Sequence, residues 1–334
     1  MSAQTHPIPR PLRTGAPAPA VKAGTEAAAN GLPGFVRAEA GIPFDIAGRR
    51  IGRVVLPLWR RSLSLVEAMA GTSPALPPMT PDTEGYFLRA LPEDLARPLM
   101  ARADLVPLPR QRYERSFVDL APGFDHWMAQ LSGSTRQGLR RKQRKLAEHC
   151  GGRIDLRVYR TADELALFFP LARAISAASY QERLLDAGLP VDALPAMQAL
   201  AARDAARGFL LWIAGQPAAY LYSPAEGETL LYAHLGYDER FADHSPGSVL
   251  QVEALRLLME EGRFRWFDFG EGGGQHKRTF ASGTIASLDL LLLRPAWRNR
   301  ALLRALALFD GTVAVGAGAI RKLGLHGLRR LIRR

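Results

Sequence analysis

FDFGEGGGQHKRTF, residues 267–280, joins an apolar strand pattern to a glycine cluster and then to a basic, helix-forming end. Its Asp-Phe-Gly suggests a kinase metal loop, but that loop needs an upstream His-Arg-Asp, which the chain lacks. A dinucleotide fingerprint needs Gly at the sixth position counted from Gly270, where Gln275 stands. The phosphate loop G-x-x-x-x-G-K-[ST] is also missing. The glycines therefore read as a turn after a buried strand, and the meaning of the segment depends on its neighbours.

One helix length upstream lies SPGSVLQVEALRLLMEEG, residues 245–262. Ser245 at the N-cap and Pro246 at the first helical position mark a helix start. Val249, Val252, Leu255, Leu258 and Met259 fall on one face at helical spacing. Amides of the first turn, with Gly247 allowing close approach, make an anion site. Before this helix the chain reads as a meander, GFLLWIAG, QPAAYLYSP and ETLLYAHLGYD, punctuated by Gly215-Gln216 and Glu226-Gly227. Earlier still, RIDLRVYR alternates as a strand, and Thr161 with Glu164 forms a capping box for a helix. ALPAMQALAARDAAR reads as a second helix, and 124–150 as a helical tract broken at Ser-Gly-Ser. IGRVVLPLW, GYFLRAL, RSFVDL and SLDLLLLRP read as strands, LPEDLARPLMARA as a helix and SPALPPMTPDT as a break. The order is a mixed α/β one without βαβ repetition.

The 334 residues, 47% of them hydrophobic, suffice for one large or two modest domains with a real core. The net charge of +12 is unevenly placed. Residues 134–145 hold six Arg or Lys and no acid, and residues 294–334 hold ten with only Asp310 in opposition. The rest of the chain is mildly acidic, so two basic devices are attached to an ordinary body. Such devices suit anionic partners: lipid head groups, phosphorylated cofactors or nucleic acid. Nucleic acid ranks last, because the basic run lacks interleaved aromatics. The tail AIRKLGLHGLRRLIRR mixes apolar residues with six cations, a pattern suited to an anionic membrane surface. One cysteine, Cys150, offers neither a disulfide nor a metal-ligand spacing and suits a reducing cytoplasm. The first residues carry no secretory apolar run, and no stretch is long enough to span a bilayer.

Three elements in order, GLRRKQRKLAE, SPGSVL and FDFGEGGGQHKRTF, give the sequence a resemblance to the GCN5-related acyl-CoA N-acyltransferase superfamily. Within it, the chain is most similar to the FemAB-like and cellulose-biosynthesis-type acetyltransferases, a branch that bacterial ceramide synthases also resemble. The likeness covers about residues 117–293. It implies an α/β (α+β) fold with a central mixed, mostly antiparallel sheet, and a degenerate second copy in the N-terminal half. The expected organisation is a disordered arm at 1–33, the degenerate half at 34–133, the acyltransferase domain at 134–293 and a basic amphipathic tail at 294–334. The resemblance implies no bound cofactor and no metal. An acyl-CoA or acyl carrier protein thioester would be the co-substrate, and an amine the acceptor. With the basic tail, it points to a cytoplasmic protein peripheral on the inner membrane and to a lipid amine. The alternatives are an acetyltransferase modifying an envelope or exopolysaccharide sugar, or a non-catalytic protein that binds anions or nucleic acid.

Acyl transfer from a thioester to an amine sets four demands. Backbone amides of Gly247, Ser248 and Val249 are candidates to hold the pyrophosphate, with Lys277 as a further phosphate contact. A backbone amide between Leu231 and Tyr237 is the candidate donor to the developing oxyanion. His234, Glu271 and Asp268 are alternative bases for the amine proton. His276 is the candidate donor to the departing thiolate. Each has an ordinary structural role as competitor: a satisfied core histidine for His234, and a partner of the loop amides for Asp268.

Overall fold

The computed structural model describes residues 34–46, 49–179, 188–270 and 275–322. The expected N-terminal arm and the last twelve residues of the basic tail lie outside them, as does Glu271. The chain forms two compact units, one of them built on residues 115–284 and the other on the segments before and after it.

The unit on residues 115–284 is a sheet with helices on both faces. Its strands are the end of β4 (Val106–Asp119), β5 (Asp155–Tyr159), β6 (Ala206–Ile213), β7 (Gln216–Glu226), β8 (Thr229–Leu231), β9 (His234–Tyr237) and β10 (Trp266–Asp268). They run in the order β4-β10-β8-β7-β6-β5, with β9 also on β7. All pairs are antiparallel except β10 with β8. The sheet is thus mixed and mostly antiparallel, as expected. In β6, Phe209, Leu211 and Ile213 join one core cluster and Leu210 the other. A strand buried on both faces reads as a continuous apolar run, which is what GFLLWI is.

One face is covered by α3 (Phe124–Gln130), α4 (Gly133–His149) and α7 (Pro246–Glu261), and the other by α5 (Ala162–Ala178) and α6 (Leu194–Ala201). The capping box of α5 forms as read: Thr161 Oγ1 accepts from Glu164 N–H, and the Glu164 carboxylate accepts from Thr161 N–H. Two readings need correction. The helix expected through Arg207 ends at Ala201, because Asp204 turns into the left-handed region (φ 55°) and β6 begins at Ala206. Ser245 does precede α7, but in the left-handed region (φ 51°), and its hydroxyl makes no capping bond. The last local helix, α8 (Gln275–Phe280), is tied to α3 by the Trp127 indole N–H, which donates to the Phe280 carbonyl at 2.8 Å.

The second unit has the strand order β1 (Val36–Ile46), β2 (Arg49–Ser62), β3 (Gly85–Pro92) and β11 (Gly283–Leu293). β2 and β3 are parallel, and the other two pairs antiparallel. α1 (Leu65–Ala70), α2 (Glu93–Met100) and α9 (Trp297–Lys322) complete it. The start of the basic C-terminal segment is a packing helix here: Leu303 and Leu306 of α9 are buried against Leu58, Leu291 and Leu293. No described helix is long and apolar enough to cross a membrane.

Candidate active site

The third meander strand is interrupted, and the interruption makes the site. β8 pairs with β10 through Leu231↔Asp268, and Tyr232 N–H donates to the Asp268 carbonyl at 2.8 Å. Past that bond the strands part. β10 ends at Asp268, whereas β9 continues alongside β7 through Leu221↔Leu235 and Tyr222↔His234. The β9 edge turned away from β7 is left without a strand partner among the described residues. A gap of this kind offers backbone N–H groups to a ligand inserted along it, and it opens within the expected segment 231–237.

Gly236 lies in β9, and a Cβ there would come within 2.6 Å of the Tyr220 ring. Only glycine lets β9 lie flat on β7 at this point. From Tyr237 the chain turns through a 3-10 helix, Glu239–His244, into α7. Ser248 and Val249 N–H both donate to the Ser245 carbonyl, at 3.0 and 3.2 Å. Of the three amides expected to hold a pyrophosphate, two are therefore already engaged, and that of Gly247 is the one without a backbone partner among the described residues. A Cβ on Gly247 would make ordinary contact with Leu235 and Tyr237 at 3.6 Å.

His234 is half-buried beside the gap, with its ring stacked on Tyr222 at 6.5 Å between centroids. Burial pushes its pKa down to about 4, and a hydrogen bond to the Gly188 backbone opposes that only in part. The imidazole is therefore neutral at pH 7. Its Nδ1 is buried without a hydrogen-bond partner among the described residues. A neutral imidazole carries a proton on one nitrogen only and keeps the other as a proton acceptor. Burial also raises the pKa values of Tyr222 and Tyr232, so both phenols keep their protons.

Asp268 is fully buried and locked. Arg115 on β4, itself 5% exposed, reaches its carboxylate with Nη2 at 2.5 Å and Nε at 3.1 Å. Gly270 N–H donates to the other oxygen at 2.8 Å. The carboxylate thus holds the turn that leads into the glycine cluster. Arg115 was missed in the sequence; the signal was an arginine inside an alternating apolar strand, matched by one acid between Phe267 and Phe269. Lys277 is half-buried on α8, and His276 belongs to the same helix with its side chain outside the described residues.

The basic run also meets the site. Ser132 caps α4, and Leu139 and Leu146 bury its apolar edge. Lys142 Nζ donates to Ser248 Oγ at 3.2 Å, in the first turn of α7. Burial and the charge of Arg141 depress the Lys142 pKa. Sequence reading found the run but not its destination.

Residues 133–278 match the family model described as an acetyltransferase (GNAT) domain. That segment carries β5 to β10, α4 to α7 and the gap. No curated protein matches the sequence. Among solved structures, the chain is similar to the C-terminal domain of a protein from Agrobacterium fabrum described as a lysylphosphatidylglycerol synthetase. The two share 14% identity over 78% of this chain and 85% of that one, with a TM-score of 0.50. FemX gives 12% identity over 77% and 88%, with a TM-score of 0.45. A GCN5-related N-acetyltransferase from Kribbella flavida gives 18% over 64% and 70%, with a TM-score of 0.33.

Proposed function

We propose that the protein is an acyl-CoA-dependent N-acyltransferase of the FemAB-like, cellulose-biosynthesis-type branch, acting on a lipid amine at the cytoplasmic membrane face. The observation that carries the reading is the gap between β9 and β10, with His234 on one side and the α7 N-terminus at its end. The acyl chain and pantetheine lie along the unpaired edge of β9, where a backbone N–H meets the developing oxyanion. The pyrophosphate lies at Gly247 and Lys142. The acceptor nitrogen attacks the thioester carbonyl, the C–S bond breaks and the thiolate leaves. His234 Nδ1 takes the proton that the amine gives up. Glu271 stays an alternative base, and His276 a donor to the thiolate.

Support for the membrane and lipid part comes from α9 and the sequence beyond it. The helix turns Trp297, Arg298, Arg300, Arg304 and Leu308 to solvent, a mixture of cations and large apolar groups suited to an anionic interface. Six further cations lie between Arg321 and Arg334. Each contributes about 1 kcal/mol at such a surface.

The test is thermal melting of the full chain with CoA, acetyl-CoA and palmitoyl-CoA. A ligand at a hundred times its dissociation constant adds about 2.7 kcal/mol, a clear rise in Tm. Stabilisation greatest with palmitoyl-CoA is the expected result. Preference for acetyl-CoA would move the acceptor to a sugar, and no rise with any of the three would remove acyl-CoA from the mechanism.

A further inference from the structure

Tyr159, Gly208, Tyr222 and His234 stand opposite one another in a row across β5, β6, β7 and β9. Residues directly opposite on neighbouring strands point to the same side of a sheet, here the side that α5 and α6 cover. Gly208 leaves a space in the row, and α5 fills it: a Cβ there would come within 3.1 Å of Leu165 and Phe168. The Tyr222 ring is thus walled by Phe168 and by His234, each 6.5 Å away between centroids. Tyr222 is 5% exposed, and its hydroxyl is buried with no hydrogen-bond partner among the described residues. The chain that returns past this point does not supply one. The Gly188 backbone bonds to His234, and Leu189 N–H donates to Ser176 Oγ at 2.9 Å.

Such a hydroxyl costs the fold free energy, and phenylalanine would fill the same space without that cost. A buried polar group without a partner calls for a reason, and a ligand that pairs with it on binding is one. The phenol keeps its proton, so it is a donor to a lone pair that the ligand must bring. The lone pair of the amine goes to the thioester carbon and is not free to accept. Across the strand pair, His234 Nδ1 is the other buried atom without a partner among the described residues, and it is read as the base for that amine. An oxygen on the carbon beside the amine lies within a hydrogen bond's length of the nitrogen. One small ligand group can therefore meet both the base and the phenol.

We propose that Tyr222 sets the acceptor specificity: its hydroxyl donates to an oxygen on the carbon adjacent to the reacting amine, so that the protein selects amines carrying a vicinal hydroxyl over plain alkyl amines. The proposal rests on the reading of the gap beside His234 as the acyl-transfer site, and it adds the acceptor feature which that site reads. An amine without the oxygen leaves the phenol unpaired in the complex and forfeits the bond.

The test is acylation by the full chain, with palmitoyl-CoA as donor, of two amines of equal chain length. One is octadecylamine, and the other is the same amine with a hydroxyl on the carbon next to the one that bears nitrogen; the amide product is measured by mass spectrometry. The wild-type protein is expected to favour the hydroxyamine by about tenfold in kcat/KM, the contribution of one hydrogen bond. In Tyr222→Phe the two amines converge to within a factor of about two, through a higher KM for the hydroxyamine rather than a lower kcat. The Tm of the variant is expected to equal or exceed that of wild type, because no bond within the fold is lost. A lower Tm would show that the hydroxyl serves the fold, and would overturn the proposal. Equal use of both amines by the wild-type protein would also overturn it, and would leave the acyltransferase reading standing. A preference undiminished in the variant would overturn the assignment to Tyr222. Acylation of neither amine would bring down both this proposal and the lipid amine as acceptor.

Discussion

Asp268 and Asp289 occupy nearly the same local sequence, one acid between two large apolar residues on a buried strand, yet the two units treat them in opposite ways. In the unit on residues 115–284, Asp268 meets Arg115 in a two-pronged ion pair and also accepts from Gly270. In the other unit, Asp289 is 6% exposed and its nearest cation, Arg89, is 3.7 Å away. Its remaining partners are the Tyr113 hydroxyl and Ala90 N–H, both at 3.2 Å. Burial raises the Asp289 pKa above the ordinary carboxylate value, against the opposing pull of Arg89. A buried carboxylate is thus a fixed strut where a guanidinium reaches it squarely and a poorly compensated charge where it does not.

The strut is used where the chain must be held open. The Asp268 carbonyl makes the last bond before β9 and β10 part, and its carboxylate holds the turn beyond. At Asp289 the register of β11 against β3 shifts between Leu288 and Leu290, and Ala90 opposite takes a positive φ of 52°. The irregularity there has pairing on both of its sides, so no gap opens between β3 and β11.

The sharpest way to break this contrast is Arg115→Ala. It strands the Asp268 charge, and a loss of about 3–5 kcal/mol is expected in urea unfolding, with CoA binding lost as well. A variant within 1 kcal/mol of wild type, on the order of a surface change, would mean that the pair is not the strut described.

A smaller effect separates the units by pH. His234 has a folded pKa of about 4, below its ordinary 6.5. Between those values the unfolded chain binds a proton that the folded one does not, so stability falls as pH drops, by up to about 1.4 kcal/mol per pH unit. His234→Asn should flatten that window, and it should lower kcat by about 10²–10⁴ if His234 is the base. Flattening without the kcat loss would keep the buried imidazole and pass the proton transfer to Glu271.

The smallest effect is expected at Asp289. Its folded pKa is raised, so the protonated form favours folding and stability is lost as pH rises through that value. Asp289→Asn removes the loss while keeping the shape, and is expected to lie within about 1 kcal/mol of wild type at pH 7. A large destabilisation would show that Asp289 is a strut after all.

Much of the fold was legible because its signals are local. The 161–164 capping box, the turn glycines of the meander, Pro246 at a helix start and the buried runs in β6 and β11 follow from backbone and side-chain preferences over a few residues. Where a residue reads the same in two local structures, neighbours decided. Ala202 to Arg207 has helical composition, yet Asp204 turns there because the chain must enter β6. Ser245 looks like a hydroxyl cap, but the bend from the 3-10 helix sets its backbone in the left-handed region. Its carbonyl, not its side chain, then takes the first amides of α7.

By itself the sequence determined most of the elements, the helix start at Pro246 and the two basic runs, since charge and periodicity need no partner to be read. Only the tertiary structure decided which groups face one another. The Arg115–Asp268 pair joins residues 153 positions apart. The depressed pKa of His234 comes from the wall built around it, and the basic run on α4 meets the start of α7 only through the folded contact of Lys142 with Ser248. Desolvation and hydrogen-bond geometry belong to places in space, and no stretch of chain carries them until distant segments close around it.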